Sequence, residues 1–235
     1  MAAKHRLLGL VLLFAILLTN PTTVSASPGK YPYQNRLTES RNVNSEPEAW
    51  LADLVNFIAQ VANGNPDQLV GVFVPGVFAL PVVQQPDGET YAVSNEPGVI
   101  TQYGSVDRYG NVGLLAHNFL AGAEFFKLGL GQRVTLIYGN GHSRDYTVTG
   151  FRQFQATLPE SPYSNFIDLD QPGSRPIRSA DIFNLIYTGS TRVVLQTCIA
   201  RQGEPSWGRL FVIATPIEES PGIFRFSPGL WSGRN

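Results

Sequence analysis

The sequence predicts an all-β domain, a barrel or a sandwich, entered through one N-terminal helix. Three observations carry this. About eight short β-forming runs follow Asn65, each closed by turn-forming residues. The 23 glycines and 17 prolines supply those turns, and 43% hydrophobic residues suffice for a core. Helical spacing is confined to one N-terminal stretch and two short pieces further on.

The chain opens like an export signal. Lys4, His5 and Arg6 form a basic start, Leu7 to Leu18 an apolar core, and Val24-Ser25-Ala26 offers small residues at cleavage spacing. The apolar run is short of the roughly 20 residues a spanning helix needs. Residues 1–26 therefore read as a signal peptide, with an uncleaved anchor as the competing reading. Either way the domain is expected outside the cytoplasm, extracellular or in the cell envelope. Net charge is −1, or about −3 once Lys4 and Arg6 leave, and Lys and Arg do not cluster. That argues against a nucleic-acid partner.

Residues 27–44 are polar, rich in Asn, Ser and Pro, and read as a flexible spacer. Ser45-Glu46-Pro47-Glu48 has capping-box spacing. Trp50, Leu51, Leu54, Val55, Phe57, Ile58 and Val61 then recur at helical spacing, with Gly64 as a stop. A helix is expected over about 46–63, within a segment 45–64, its apolar face serving as core. The barrel-like domain is placed at 65–218 and a tail at 219–235.

Strands are expected at Leu69–Val74, Phe78–Val83, Val99–Tyr103, Val112–Ala116, Arg133–Tyr138, Arg144–Phe151, Arg192–Thr197 and Leu210–Thr215. Asn140-Gly141 marks a hairpin, because a tight turn there needs positive φ. Short helical pieces are expected at about Ala121–Leu128 and Ala180–Tyr187, the second capped by Ser179. Gln155 to Arg178 holds four prolines and no clear period. It reads as a long excursion, either a surface loop or a functional wall.

Cys198 is the only cysteine. In an exported chain such a thiol is an inert buried side chain, an intermolecular link or a reactive nucleophile. A thiol attacks as thiolate and needs a basic or cationic neighbour to reach that state at neutral pH. His142 flanks the hairpin turn, where a polar residue needs no function. His117 follows an apolar run at a strand end; a lone histidine there is commonly structural, yet by elimination it is the natural partner of a catalytic thiol. Arg209 opens a run of large apolar residues, as an edge-placed cation or as one fixed to stabilise an oxyanion. Arg201 is a rival, but lies in a turn.

Three stretches, in order, resemble the sortases, exported cysteine transpeptidases of bacteria. "VVLQTC" is similar to the T-L-x-T-C strand of that family, with Leu195, Thr197 and Cys198 in place. "GNVGLLAHN" resembles the segment ending in its histidine, followed by Phe125, Leu128, Gly131 and Val134. "GRLFVIATPI" resembles the strand that carries its arginine. The resemblance covers roughly Asp67 to Ile217. Val194 stands where the family has threonine, and Ala116 and Asn118 where Gly and Arg are common, which marks a divergent branch.

The resemblance implies a closed eight-stranded β-barrel whose last two strands carry Cys and Arg. It implies that Cys198 attacks a peptide carbonyl in a sorting signal, typically of the L-P-x-T-G type, forming a thioacyl enzyme that an amine acceptor resolves. His117 then moves the proton, Arg209 holds carbonyls or the oxyanion, and Thr197 positions substrate. The 155–178 excursion corresponds to the loop that walls the substrate groove. No cofactor or metal is expected; some sortases bind calcium through acidic loop residues, but Asp168 and Asp170 are too few. Partners are a peptide sorting signal and an amine, and a membrane only if the N-terminal segment is kept. The competing functions are a barrel without activity serving as a binding module and a hydrolysing cysteine peptidase. An L,D-transpeptidase is disfavoured because an S-H-G-x-C type motif is absent.

Overall fold

The computed structural model describes residues 47–217, with side chains from Trp50 onward. The expected export signal (1–26), spacer (27–44) and tail (219–235) lie outside the described residues. Helix α1 is Pro47–Val61. Ten strands follow: β1 Leu69–Val74, β2 Phe78–Gln84, β3 Ile100–Gln102, β4 Val112–Leu115, β5 Arg133–Tyr138, β6 Ser143–Ala156, β7 Asn165–Asp168, β8 Ile177–Arg178, β9 Val193–Arg201 and β10 Glu204–Pro216. Two further α-helices are α2, Gly104–Asp107, and α3, Ser179–Tyr187, and a 3₁₀ helix covers Ala121–Lys127. Among the described residues no helix is long and apolar enough to cross a membrane.

Eight strands close on themselves in the order β10-β9-β4-β3-β2-β1-β5-β6, and β6 pairs back to β10. The barrel is closed and mixed, with parallel pairs at β2–β3 and β4–β9. Alternation of side chains along each strand gives it two faces. Leu114, Leu195 and Val212 lie opposite one another on β4, β9 and β10 and are fully buried on the inside. The outer face is also covered in places. Helix α1 lays Trp50, Leu54, Phe57, Ile58 and Val61 over Val70, Phe73 and Ile137. Val106 beside α3, with Ile182, Ile186 and Tyr187, covers Phe154, Phe166, Val194 and Phe211.

The Asn140-Gly141 turn forms where expected. Gly141 N donates to the Tyr138 carbonyl at 2.8 Å and Tyr138 N to the His142 carbonyl at 2.8 Å. The positive φ falls on Gly141 alone, at +83°, so this is a three-residue turn ending in a left-handed glycine.

Two expectations are corrected. The 155–178 stretch is not without regular structure: β6 runs on to Ala156, and β7 and β8 fold back beside it. Four- and two-residue strands among prolines leave no period to read. Ser179 does not cap α3. Arg178 occupies that position without a side-chain cap bond, and its guanidinium instead clasps Asp181 in the first turn at 2.8 and 2.9 Å. The short helical piece expected at about Ala121–Leu128 forms, as a 3₁₀ helix over Ala121–Lys127.

Candidate active site

Strand β9 runs three residues past Cys198, farther than the strand end expected at Thr197, and turns into β10 through Gln202-Gly203, with φ of 54° and 81°. Both residues being left-handed, this two-residue turn matches the twist of its strands. It pairs Arg201 with Glu204, a register that, continued, would set Trp207 against Cys198. A bulge between Glu204 and Gly208 shifts the ladder by two residues, so that Cys198 faces Arg209 directly. The bulge requires a glycine, because a Cβ at Gly208 would sit 2.6 Å from the Phe154 carbonyl. Directly opposed residues point to the same face with Cβ atoms roughly 5 Å apart. Cys198 and Arg209 are both half-buried on the outer face, in the row above the part covered by α3.

His117 reaches this row through β4. The parallel β4–β9 ladder sets Leu115 against Gln196, and Ala116 N continues it by donating to the Gln196 carbonyl at 3.2 Å. The ladder ends at Leu115; continued by two residues, the same register would set His117 level with Cys198. Side-chain bonds hold that register at both ends. Asn111, buried, donates to the Tyr187 carbonyl at 2.9 Å and accepts from Arg192 N at 2.9 Å. At the other end the Thr197 hydroxyl donates to the Ala116 carbonyl at 2.9 Å.

Thr197 is therefore turned away from the face carrying Cys198, and its hydroxyl is spent on the histidine segment. That bond fastens the Ala116–His117 segment to β9. Gly122 completes the corner. Its amide donates to the His117 carbonyl at 3.0 Å, and a Cβ there would lie 2.3 Å from Thr197 Oγ1 and 2.7 Å from the Ala116 and His117 carbonyls. Asn118 donates to the Pro205 carbonyl at 3.0 Å, tying the histidine segment to the β9–β10 hairpin. Asn111, Gly122 and Gly208 carry no motif of their own. Sequence reading missed them because each acts through a contact with a distant segment.

Arg209 donates through Nη1 to the Ser206 and Gly208 carbonyls at 2.9 Å each, and through Nη2 to the Pro159 carbonyl at 3.5 Å. Its guanidinium lies over the Phe166 ring at 5.8 Å. Among the described residues it has no carboxylate partner. The carbonyl of Pro159 brings the β6–β7 loop to the border of the site. In the same loop Tyr163 hydrogen-bonds Tyr91 of the β2–β3 connection, which pushes the Tyr91 phenol above its ordinary range. Beneath the row, the Tyr187 hydroxyl donates to Gln196 Oε1 at 2.5 Å, and burial pushes that phenol well above its ordinary value.

The other candidates lie elsewhere. His142 is at the opposite end of β6, in the hairpin turn, beside a hollow of about 520 Å³ lined by Tyr138, Ser143 and Arg144. Arg201 rests over Trp207 at 4.8 Å on the hairpin tip. Asp168 and Asp170 both pair with Arg152, at 2.6 and 3.3 Å. Phe119, strongly exposed, stacks on the His117 ring at 5.2 Å and borders an apolar hollow with Phe78, Leu80 and Pro97.

No protein-family model matches the sequence, and no curated protein does. Solved structures similar to this chain include sortases. Sortase A of Listeria monocytogenes is 18% identical, over 65% of this chain and 89% of that one, with a TM-score of 0.42. Sortase C-1 of Actinomyces oris is 12% identical, over 70% and 80%, at 0.44. Clostridium perfringens sortase C, solved with the C-terminal cell wall sorting motif, is 15% identical, over 75% and 94%, at 0.40. At these identities the likeness concerns chain path, and the site has to be read from this chain's own residues.

Proposed function

We propose that this protein is a sortase-type cysteine transpeptidase, with Cys198 as nucleophile, His117 as proton carrier and Arg209 as the fixed cation. One observation carries the reading: the bulged β9–β10 ladder sets the chain's single thiol directly against an arginine without a carboxylate partner among the described residues. An inert core thiol has no use for such a neighbour. A thiol that must ionise, and then hold an oxyanion at the carbon it attacks, does.

Cys198 sulfur, as thiolate, attacks a peptide carbonyl, and the resulting oxyanion lies toward the Arg209 guanidinium. As it collapses the C–N bond breaks, protonated His117 gives its proton to the leaving amine, and a thioester remains. An incoming primary amine attacks the thioester and returns a proton to His117. The Cys198 thiolate leaves and the new amide departs. Water in place of the amine gives hydrolysis by the same route. In this reading the substrate is a sorting-signal peptide of the L-P-x-T-G type, walled by the β6–β7 loop, and residues 1–26 direct export.

The test is a panel of Cys198→Ala, His117→Ala and Arg209→Ala against a library of L-P-x-T-G type peptides with a primary amine as acceptor. Each variant is expected to stay folded, and Cys198→Ala to lose transfer. Turnover by Cys198→Ala equal to that of the wild type rejects the mechanism. A wild-type protein that captures peptides without turning them over identifies a binding barrel instead.

A further inference from the structure

The row that holds Cys198 and Arg209 continues across two more strands. Arg209 on β10 faces Phe154 on β6, and Phe154 faces Asp168 on β7. Four side chains of one face therefore stand in line: the thiol, a guanidinium, a buried ring and a carboxylate. Asp168 is only 3% exposed. A carboxylate so buried is costly unless a cation and hydrogen bonds meet it. Arg152, two residues before Phe154 and on the same face, supplies the cation: its Nη2 donates to Asp168 Oδ2 at 2.6 Å. Asp168 Oδ1 accepts from Asp170 N at 2.9 Å.

The two arginines have separate seats. Arg152 lies over the Phe154 ring at 5.2 Å, and Arg209 over Phe166 at 5.8 Å. With strands about 4.8 Å apart, Asp168 stands roughly 10 Å from Arg209 along the row and about 14 Å from Cys198. Those distances fall near or within the reach of a charge in a partly buried setting, where salt screens weakly. Bare, the carboxylate would draw Arg209 across Phe154 and oppose negative charge on the sulfur and the oxyanion. We infer that Arg152 is a positioning residue for the Cys198–Arg209 pair: by occupying Asp168, with the solvent-facing Asp170 as its second partner at 3.3 Å, it keeps Arg209 in place and offsets the buried negative charge of the row. The inference rests on the transpeptidase reading and adds to it the group that keeps the cation available.

The experiment compares Arg152→Met, Arg152→Met/Asp168→Asn and the wild type. It reads transfer with the same peptide library, iodoacetamide alkylation of Cys198 at pH 7 in the folded protein, and thermal unfolding. Arg152→Met is expected to lower kcat about tenfold, with KM little changed, and to slow alkylation in parallel, the size expected for one charge at this range. Adding Asp168→Asn removes the buried negative charge, leaving only Asp170, in contact with solvent, and is expected to restore both rates to within about twofold of the wild type, since the charge and not the packing is at fault. A purely structural role for Arg152 predicts instead that thermal unfolding alone changes, with both rates at wild-type values in every variant that remains folded. Wild-type kcat and alkylation in Arg152→Met overturn the inference, as does a folded double variant no faster than the single. Should Arg152→Met fail to fold, a folded double variant below a tenth of wild-type kcat overturns it equally. Failure of the transpeptidase reading shows separately, as turnover by Cys198→Ala, while alkylation of the Arg152 variants still reads the charge.

Discussion

The two ends of β6 behave differently. At its start, β5 and β6 meet through a local turn, and the charged pair Arg133–Asp145, at 2.7 Å, is more than one-third exposed on both sides. His142 sits there in the turn itself. At its end, residues from β9, β10, β6 and β7 line up, the Arg152–Asp168 pair is largely buried, and an arginine faces the only cysteine. The same strand thus carries a histidine and an ion pair of little consequence at one end, and groups held by four strands at the other. Chemistry gathers where side chains are fixed by distant contacts, because only there are they desolvated and held still.

The sharpest way to break this comparison is to remove a cation or a base at each end. Arg209→Ala is expected to lower peptide transfer by about 100-fold or more, the usual loss for an oxyanion-stabilising group. His142→Ala is expected to leave it unchanged. Equal losses in steady-state assays would erase the distinction between the ends. The ion pairs give the next largest contrast. Asp168→Ala leaves Arg152 with only the more exposed Asp170 and is expected to cost on the order of 2 kcal/mol in denaturant unfolding, whereas Asp145→Ala costs about 1 kcal/mol or less.

Gly122→Ala tests the corner that sets His117 beside Cys198. Its methyl would meet Thr197 Oγ1 at 2.3 Å and two carbonyls at 2.7 Å. A loss of about 1–3 kcal/mol is expected, with a drop in transfer as His117 shifts. Gly141→Ala, at φ +83° in the hairpin turn, is expected to cost about 1 kcal/mol and to spare transfer. Stability loss with transfer intact at Gly122 would show that the corner serves folding alone.

The smallest effect concerns pH. Burial raises the Tyr187 phenol above its ordinary value of 10.0. Below that value both folded and unfolded chains hold the proton. As pH rises past about 10, the unfolded chain releases it while the folded barrel keeps it, so stability falls. Tyr187→Phe is expected to flatten this alkaline loss in urea titrations at pH 8 to 11, at a cost near 1 kcal/mol at neutral pH from the lost bond to Gln196.

Much of the barrel was legible in the sequence. Leu69–Val74 and Arg133–Tyr138 have the expected bounds, and α1 falls within its predicted span, because alternation, helical spacing and turn residues are local signals. β7 and β8 were not legible: β7 pairs with β6 and β8 with β7, and their own residues show no period. At the site, Cys198, His117 and Arg209 stood out as unusual residues at strand boundaries, but their company did not. The excursion's two aspartates had no visible partner, since Arg152 lies 16 residues before Asp168.

The sequence by itself determined a turn-rich all-β chain with one cysteine, one histidine after an apolar run and one arginine opening another. Only the tertiary structure decided which of them meet. The Gln202-Gly203 turn alone would set Trp207 opposite Cys198; the bulge that substitutes Arg209 depends on how closely Gly208 approaches β6. Likewise the segment leading to His117 is held against the cysteine strand because Asn111 and Thr197 fix a parallel register between strands about 80 residues apart. Periodicity reveals which face a residue takes, but register between distant strands is set by packing that no local stretch contains.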